Sequence, residues 1–263
     1  MTESDPKTRS SLEDVTRQLE HYREDYEISI RNPSALLLQS ADKCIGKGHF
    51  GEAFLINWKD QPAVLKRPTE NGSFAQFSKE YNTLLHLEGA GGAPLPLCLV
   101  ENPYFVLMSY RGSKTLHDAL LEWSWDKASV VQTCINVCQR VSEVHQRGFV
   151  HCDIDSANLI VGEDLDISVI DFGNATRIGG YPRYPNERRC QWQAPELYEF
   201  YPISAKADTY SVGAILRQLF SKVEHVTGME DVLRAAVHPD PEQRPSLTEV
   251  IEALKSLDIG QSR

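Results

Sequence analysis

The chain has 263 residues, with 37 acidic and 27 basic side chains (formal charge −10), 41% apolar and 24% charged residues. This balance excludes a disordered or collagen-like chain as a whole, and the acidity argues against non-specific nucleic-acid binding. No apolar run approaches about 18 residues, so no membrane span is expected, and the polar start from Met1 to Ser10 does not read as a secretory signal.

At about 150 residues per domain the length allows one large or two small domains. Residues 1–9 read as a loose tail. Ser10 to Glu13 then forms a capping-box pattern. Leu12, Val15, Leu19, Tyr22 and Tyr26 follow on one helical stripe, a helix packed on the domain or offered to a partner. Asn32-Pro33-Ser34 breaks that pattern. From there the chain is strand-rich, with apolar runs at 53–58, 63–65, 95–100 and 104–108 between Gly, Pro and Asn turns. One helix is expected at 74–87, with Phe77, Tyr81, Leu84, Leu85 and Leu87 as its apolar face.

Helices dominate from Thr115 onward, at 116–122, 128–146, 205–220, about 229–237, and 247–257. Strands followed by helices predict an α+β fold in two lobes. The expected boundaries are a tail and amphipathic helix (1–33), a small β-rich lobe with one helix (34–110), a helical lobe (111–257) and a short tail (258–263).

None of the six cysteines (Cys44, Cys98, Cys134, Cys138, Cys152, Cys190) forms a Cys-x-x-Cys pair, which argues against zinc. Cys134 and Cys138 read as buried thiols on one helix face. The usage fits a reducing compartment, so a cytoplasmic location is expected, with the nucleus also open.

The chemistry begins at Gly46, Gly48 and Gly51, a Gly-x-Gly-x-x-Gly run. Glycines there let backbone amides approach phosphates. The run leads into a strand rather than a helix, so the dinucleotide-fold reading fails its context. Lys66 ends the apolar strand 63–65, and Glu80 on the next helix is within reach of it. Much later come His151-Cys152-Asp153, Asn158, Asp171-Phe172-Gly173 and Ala194-Pro195-Glu196, in that order.

These motifs together resemble a eukaryotic-type protein kinase domain, divergent and nearest to tyrosine kinases or tyrosine-kinase-like Ser/Thr kinases. The resemblance covers about Ala41 to Leu257. It implies an ATP- and Mg²⁺-dependent transfer of the ATP γ-phosphate to a protein Ser, Thr or Tyr hydroxyl, the alternative being a pseudokinase or scaffold. It assigns Asp153 to the attacking hydroxyl, with Lys66 and Asn158 as further catalytic residues. Asn158 and Asp171 would hold Mg²⁺. Ile45, Gly46, Gly48, Gly51, Ala53, Val64, Lys66, Glu80, Met108, Ser109, Tyr110 and Leu159 would surround ATP. His151 and Phe172 would join an internal spine with Leu84, Glu196 would pair with Arg244, and Asp208 would anchor the catalytic loop.

Four departures matter. Ala53 and Val64 exchange the family's valine and alanine around adenine, which roughly conserves volume. Cys152 stands in place of the arginine that receives an activation-segment phosphate, so control through Thr176, Tyr181 or Tyr184 is expected to be absent. Asp155 and Arg189 replace a lysine and a threonine and are expected to form a substitute ion pair. The stretch between Asp208 and Arg244 is short, which weakens the expectation of broad protein docking. Trp192 resembles the tyrosine-kinase branches, yet the catalytic loop carries neither branch's usual residues, so the acceptor hydroxyl stays open. Arg177, Arg183, Arg188 and Arg189 make the segment basic, which favours an acidic substrate.

Overall fold

The computed structural model describes residues 43–101, 103–181, 190–199 and 201–259. The stripe from Leu12 to Tyr26, the acceptor Tyr184, and Arg183, Arg188 and Arg189 lie outside the described residues.

Among the described residues five strands build one sheet: β1 (Lys43–Lys47), β2 (Gly51–Trp58), β3 (Gln61–Pro68), β4 (Pro96–Glu101) and β5 (Tyr104–Ser109), in the spatial order β1-β2-β3-β5-β4. Every pairing is antiparallel. The β2–β3 hairpin turns through Lys59 (φ 50°) and Asp60 (φ 61°), both left-handed as a tight twisted hairpin requires. The two-residue period puts Ala63 and Leu65 in one buried cluster and turns Val64 and Lys66 to the other face.

That second face meets α1 (Phe74–Leu87), the one helix inserted between the strands. Ser73 starts it with a full capping box: its hydroxyl accepts the Gln76 N–H, and Gln76 returns to the Ser73 amide. Glu88 in the left-handed conformation ends it. Phe77, Glu80, Thr83, Leu84 and Leu87 form the buried side. Leu85, expected on that side, is 47% exposed. At 100° per residue it falls beyond the stripe, and the buried polar pair Glu80 and Thr83 fills the space instead.

The second lobe is organised around α3 (Lys127–Gln146), which follows the short α2 (Leu116–Glu122). Cys134 and Cys138 are both fully buried on α3, as expected, and burial pushes the Cys138 thiol up to about 12. Short strands carry the loop residues: β6 (Phe149–Val150) pairs with β9 (Thr176–Arg177), and β7 (Leu159–Val161) with β8 (Ile167–Val169). Helices α4 (Lys206–Phe220), α5 (Met229–Ala236) and α6 (Leu247–Lys255) complete the lobe. Gly213 lets α4 and α5 touch, since a Cβ there would come within 2.8 Å of the Ala236 Cβ. Between α4 and Arg244 the chain forms the eight-residue α5 and a 3-10 turn at Pro241–Gln243. One apolar cluster runs through Phe77, Leu84 and Val106 of the first lobe into Phe172, Val169 and α3, and so holds the two lobes together.

Candidate active site

The site lies where β3, α1 and the loops around β6 to β9 converge. Pairing fixes Lys66 opposite Val106 on β5 and Ala53 on β2. Glu80 lies three residues after Phe77 and four before Leu84, so burying those two aims it at the sheet. Lys66 Nζ lies 2.9 and 2.7 Å from the two Glu80 carboxylate oxygens and 2.8 Å from Asp171 Oδ1. Burial on its own would lower the lysine's pKa, but Asp171 and Glu80 outweigh it and hold the ammonium above its usual range. The Lys66 charge beside Asp171 keeps that carboxyl below its usual range. Burial pushes Glu80 the other way, only partly offset by Lys66.

Asp171 adopts a left-handed backbone (φ 63°), a conformation costly for a non-glycine residue. Phe172 then turns inward, fully buried, with its ring edge-on to His151 at 4.8 Å between centroids. His151 is buried too and reaches the Ile170 carbonyl at 3.0 Å through Nε2.

Asp153 sits on a loop held from below. Asp208 is fully buried, and its carboxylate accepts the backbone N–H of His151 (2.7 Å) and of Cys152 (2.9 Å) and meets His145 Nε2 at 2.9 Å. These contacts fix Cys152 in the left-handed region (φ 65°). Although burial opposes ionisation of Asp208, the hydrogen bond and charge of His145 bring its pKa below the usual range. The Cys152 side chain belongs to an apolar cluster with Val150, Ala194, Leu197, Tyr198, Ile203 and Ala207.

Asn158 donates from Nδ2 to the Asp153 carbonyl at 2.9 Å, which leaves its Oδ1 as a hard oxygen ligand. Asp171 has one oxygen against Lys66 and a half-exposed carboxylate. Two hard oxygens of this kind suit Mg²⁺, which takes one or two protein ligands and completes its shell with phosphates and water. Among the described residues, no group of three or more His, Cys, Asp and Glu side chains could hold a metal by itself.

Two residues missed by the sequence reading touch Asp153 directly. Asn174 Nδ2 donates to Oδ2 and Gln193 Nε2 donates to Oδ1, each at 3.0 Å. The only cue was two amide residues flanking the recognised motifs, one just past Gly173 and one just before Ala194. Burial is the largest influence on Asp153 and raises its pKa, with the two amides pulling it back.

The residues expected around ATP fall as follows. Gly48 N–H closes the glycine turn on the Gly51 carbonyl at 2.8 Å. Gly46 faces Ala53 across β1 and β2, and Val64 faces Met108 across β3 and β5. Met108 and Leu159 are buried, whereas Ile45 on β1 is exposed. Ser109 and Tyr110 lead out of β5, and Ser109 is tied to Leu95 by its amide (2.9 Å) and hydroxyl (2.8 Å). Arg244 and Glu196 form the anticipated pair, with Arg244 Nη1 and Nη2 at 2.6 and 2.9 Å from the carboxylate. Asp155 caps the turn Ser156–Asn158 through the Ala157 N–H at 2.9 Å. Its expected partner Arg189 lies outside the described residues. Of the basic residues in the segment, Arg177 stacks over Phe149 at 4.8 Å.

A family model described as protein tyrosine and serine/threonine kinase matches residues 39–228. Human cytoplasmic tyrosine-protein kinase BMX is 26% identical over 188 residues, covering 68% of this chain and 28% of that protein. The probable serine/threonine-protein kinase drkA of Dictyostelium discoideum is 27% identical over 252 residues, 81% of this chain and 39% of that protein. Human tyrosine-protein kinase TXK is 22% identical over 250 residues, 82% of this chain and 47% of that protein. The chain therefore spans less than half the length of each of these relatives.

Proposed function

Because this chain belongs to the protein tyrosine and serine/threonine kinase family, we propose that it transfers the γ-phosphate of ATP to a Ser, Thr or Tyr hydroxyl of a protein. The observation that carries this reading is Lys66 bridging Glu80 and Asp171, with the Asp153 loop anchored beside them. Three elements distant in sequence thus meet around one ammonium, as phosphoryl transfer requires.

Each residue has a role by chemistry. Lys66 supplies positive charge to the nucleotide phosphates, and Glu80 keeps it aimed. Gly46, Gly48 and Gly51 admit phosphates close to backbone amides. Ile45, Ala53, Val64, Met108, Ser109, Tyr110 and Leu159 enclose the base. Asn158 and Asp171 would hold Mg²⁺, which would neutralise charge on the phosphates. Asp153 accepts a hydrogen bond from the acceptor hydroxyl and orients it for in-line attack. His151, Phe172, Asp208, Glu196 and Arg244 keep these groups in register. Most of the gain comes from positioning and from charge placed in advance where charge develops.

Relatives named for both acceptor types match the chain, so the acceptor is proposed only as a protein hydroxyl. A basic segment containing Arg177, Arg183, Arg188 and Arg189 favours an acidic substrate. No helix among the described residues is long and apolar enough to cross a membrane. Six thiols without disulfides support a cytoplasmic place of action. The helix proposed for the stretch before Asn32 remains a candidate partner site.

Intact-mass analysis after incubation with ATP and Mg²⁺ tests the proposal, with an added peptide library carrying Ser, Thr and Tyr as acceptors. Phosphate should appear on chain or peptide, and Asp153→Asn should reduce it by about 10²- to 10⁴-fold. No transfer, together with a melting temperature unmoved by MgATP, would sink it. The second reading, a scaffold without turnover, is favoured by Asp155, whose carboxylate adds a negative charge two residues from Asp153.

A further inference from the structure

We infer that Gln193 is a positioning residue for Asp153, and that Tyr198 and the Cys190 backbone lock it in place through a one-way chain of hydrogen bonds. The inference rests on the phosphotransferase reading, since positioning matters only if Asp153 receives a hydroxyl.

The polarity of the chain is forced. An ionised carboxylate only accepts, so the Gln193 nitrogen must face Asp153, where it sits 3.0 Å from Oδ1. The Gln193 carbonyl is then left to accept, and the Tyr198 hydroxyl donates to it. With its proton committed, the Tyr198 oxygen accepts the Cys190 N–H at 2.9 Å. Every donor along Cys190, Tyr198 and Gln193 therefore points toward one carboxylate, an arrangement in which each bond polarises the next.

The surroundings make the chain rigid. Tyr198 is 9% exposed and packs against Cys152, Ala194 and Leu197. Ala194, directly after Gln193, is fully buried. The Gln193 amide also closes a turn on the Cys190 carbonyl at 3.2 Å. Its side-chain nitrogen lies 3.4 Å from the Cys152 carbonyl as well, at the strained residue beside Asp153.

The consequence is geometric. Asn174 holds Oδ2 from one side and Gln193 holds Oδ1 from the other. Two donors on two oxygens fix the plane of the carboxylate, and each oxygen keeps a lone pair for an incoming hydroxyl. Asp155 gives no such help, because its own Oδ1 is used on the Ala157 amide. The neighbour that aims the carboxylate comes instead from the far end of the segment, just before Ala194-Pro195-Glu196.

The test compares Gln193→Leu, Tyr198→Phe and the double variant in the full chain, with the same peptide library. Gln193→Leu should lower kcat by about tenfold and leave KM for ATP unchanged, because the lost contact aims the hydroxyl-side group and not the nucleotide. Tyr198→Phe keeps the buried ring and should lower kcat by a smaller factor. The double variant should be no worse than Gln193→Leu, since Tyr198 acts through Gln193. A second arm does not depend on turnover. The side-chain amide signal of Gln193 in nitrogen-15 NMR, assigned by its loss in Gln193→Leu, should move in both Asp153→Asn and Tyr198→Phe. An unchanged kcat in Gln193→Leu, additive losses in the double variant, or an amide signal indifferent to Asp153→Asn would each overturn the inference while the phosphotransferase reading stands. A wild-type chain with no transfer and a melting temperature unmoved by MgATP overturns both.

Discussion

Lys66 and Arg244 are both cations held by a glutamate, Glu80 buried and Glu196 partly so, yet they are built for opposite purposes. Arg244 is fully enclosed and its guanidinium is saturated. Nε donates to the His238 carbonyl (2.6 Å), Nη1 to Glu196 (2.6 Å) and the Lys206 carbonyl (2.8 Å), and Nη2 to Glu196 (2.9 Å) and the Pro239 carbonyl (3.0 Å). All five donors are used, on partners fixed by three chain segments. Lys66 is a compact point charge, 15% exposed, shared between carboxylates from two different elements at the edge of the cleft. An ammonium can exchange one acceptor for another, whereas a saturated planar fork cannot. The first pair can therefore serve chemistry and the second serves only the fold.

The largest effect should come from the closed pair. Arg244→Ala leaves Glu196 and three backbone carbonyls without the buried donor they share, and breaking such a pair destabilises by about 3–5 kcal/mol. Arg244→Lys should recover only part of that loss, since an ammonium cannot rebuild the fork. Urea unfolding midpoints measure both. A midpoint for Arg244→Lys equal to that of the unaltered chain would remove the distinction drawn here.

Lys66→Met should show the reverse pattern. Transfer should fall by about 10²- to 10³-fold, the scale of losing one preorganised charge. Stability should fall less than for Arg244→Ala. Burial already drives the Glu80 carboxyl upward, so without Lys66 it can take a proton rather than remain as a bare buried charge. Parallel rate and unfolding measurements decide the matter, and a stability loss as large as that of Arg244→Ala would place both cations in one class.

Much of this was legible in the sequence because it is carried by local order. The bounds 74–87 and 116–122 match the structure, since capping boxes at Ser73 and Thr115 and uninterrupted apolar spacing mark those ends. The Lys66–Glu80 pair followed from the spacing of strand and helix, and the Arg244–Glu196 pair from the resemblance to the kinase family. What was not legible depends on side chains meeting across folded space. Leu85 satisfies a hydrophobic pattern yet faces solvent, because Glu80 and Thr83 take the buried side of the same helix. Gln193 and Asn174 look like ordinary polar loop residues, and only the approach of two loops 21 and 40 residues from Asp153 turns them into its ligands.

The smallest effect expected sharpens the contrast on the closed side, through Asp208. Its carboxylate accepts two backbone amides and meets His145, so every contact assumes the ionised form. The folded pKa is lowered relative to the ordinary 3.8. The sign follows: Asp208 contributes stability that is complete above the unfolded value and is lost as the pH falls through the folded one. Asp208→Asn turns an amide nitrogen toward a backbone N–H and should cost about 1–3 kcal/mol at neutral pH. The gap between the unaltered chain and the variant should then close as the pH drops below about 4, because the unaltered chain loses its carboxylate and the variant has none to lose. Unfolding midpoints between pH 6 and 3 report this directly. A gap that stays constant on acidification would mean that the advantage of Asp208 over asparagine does not come from its charge.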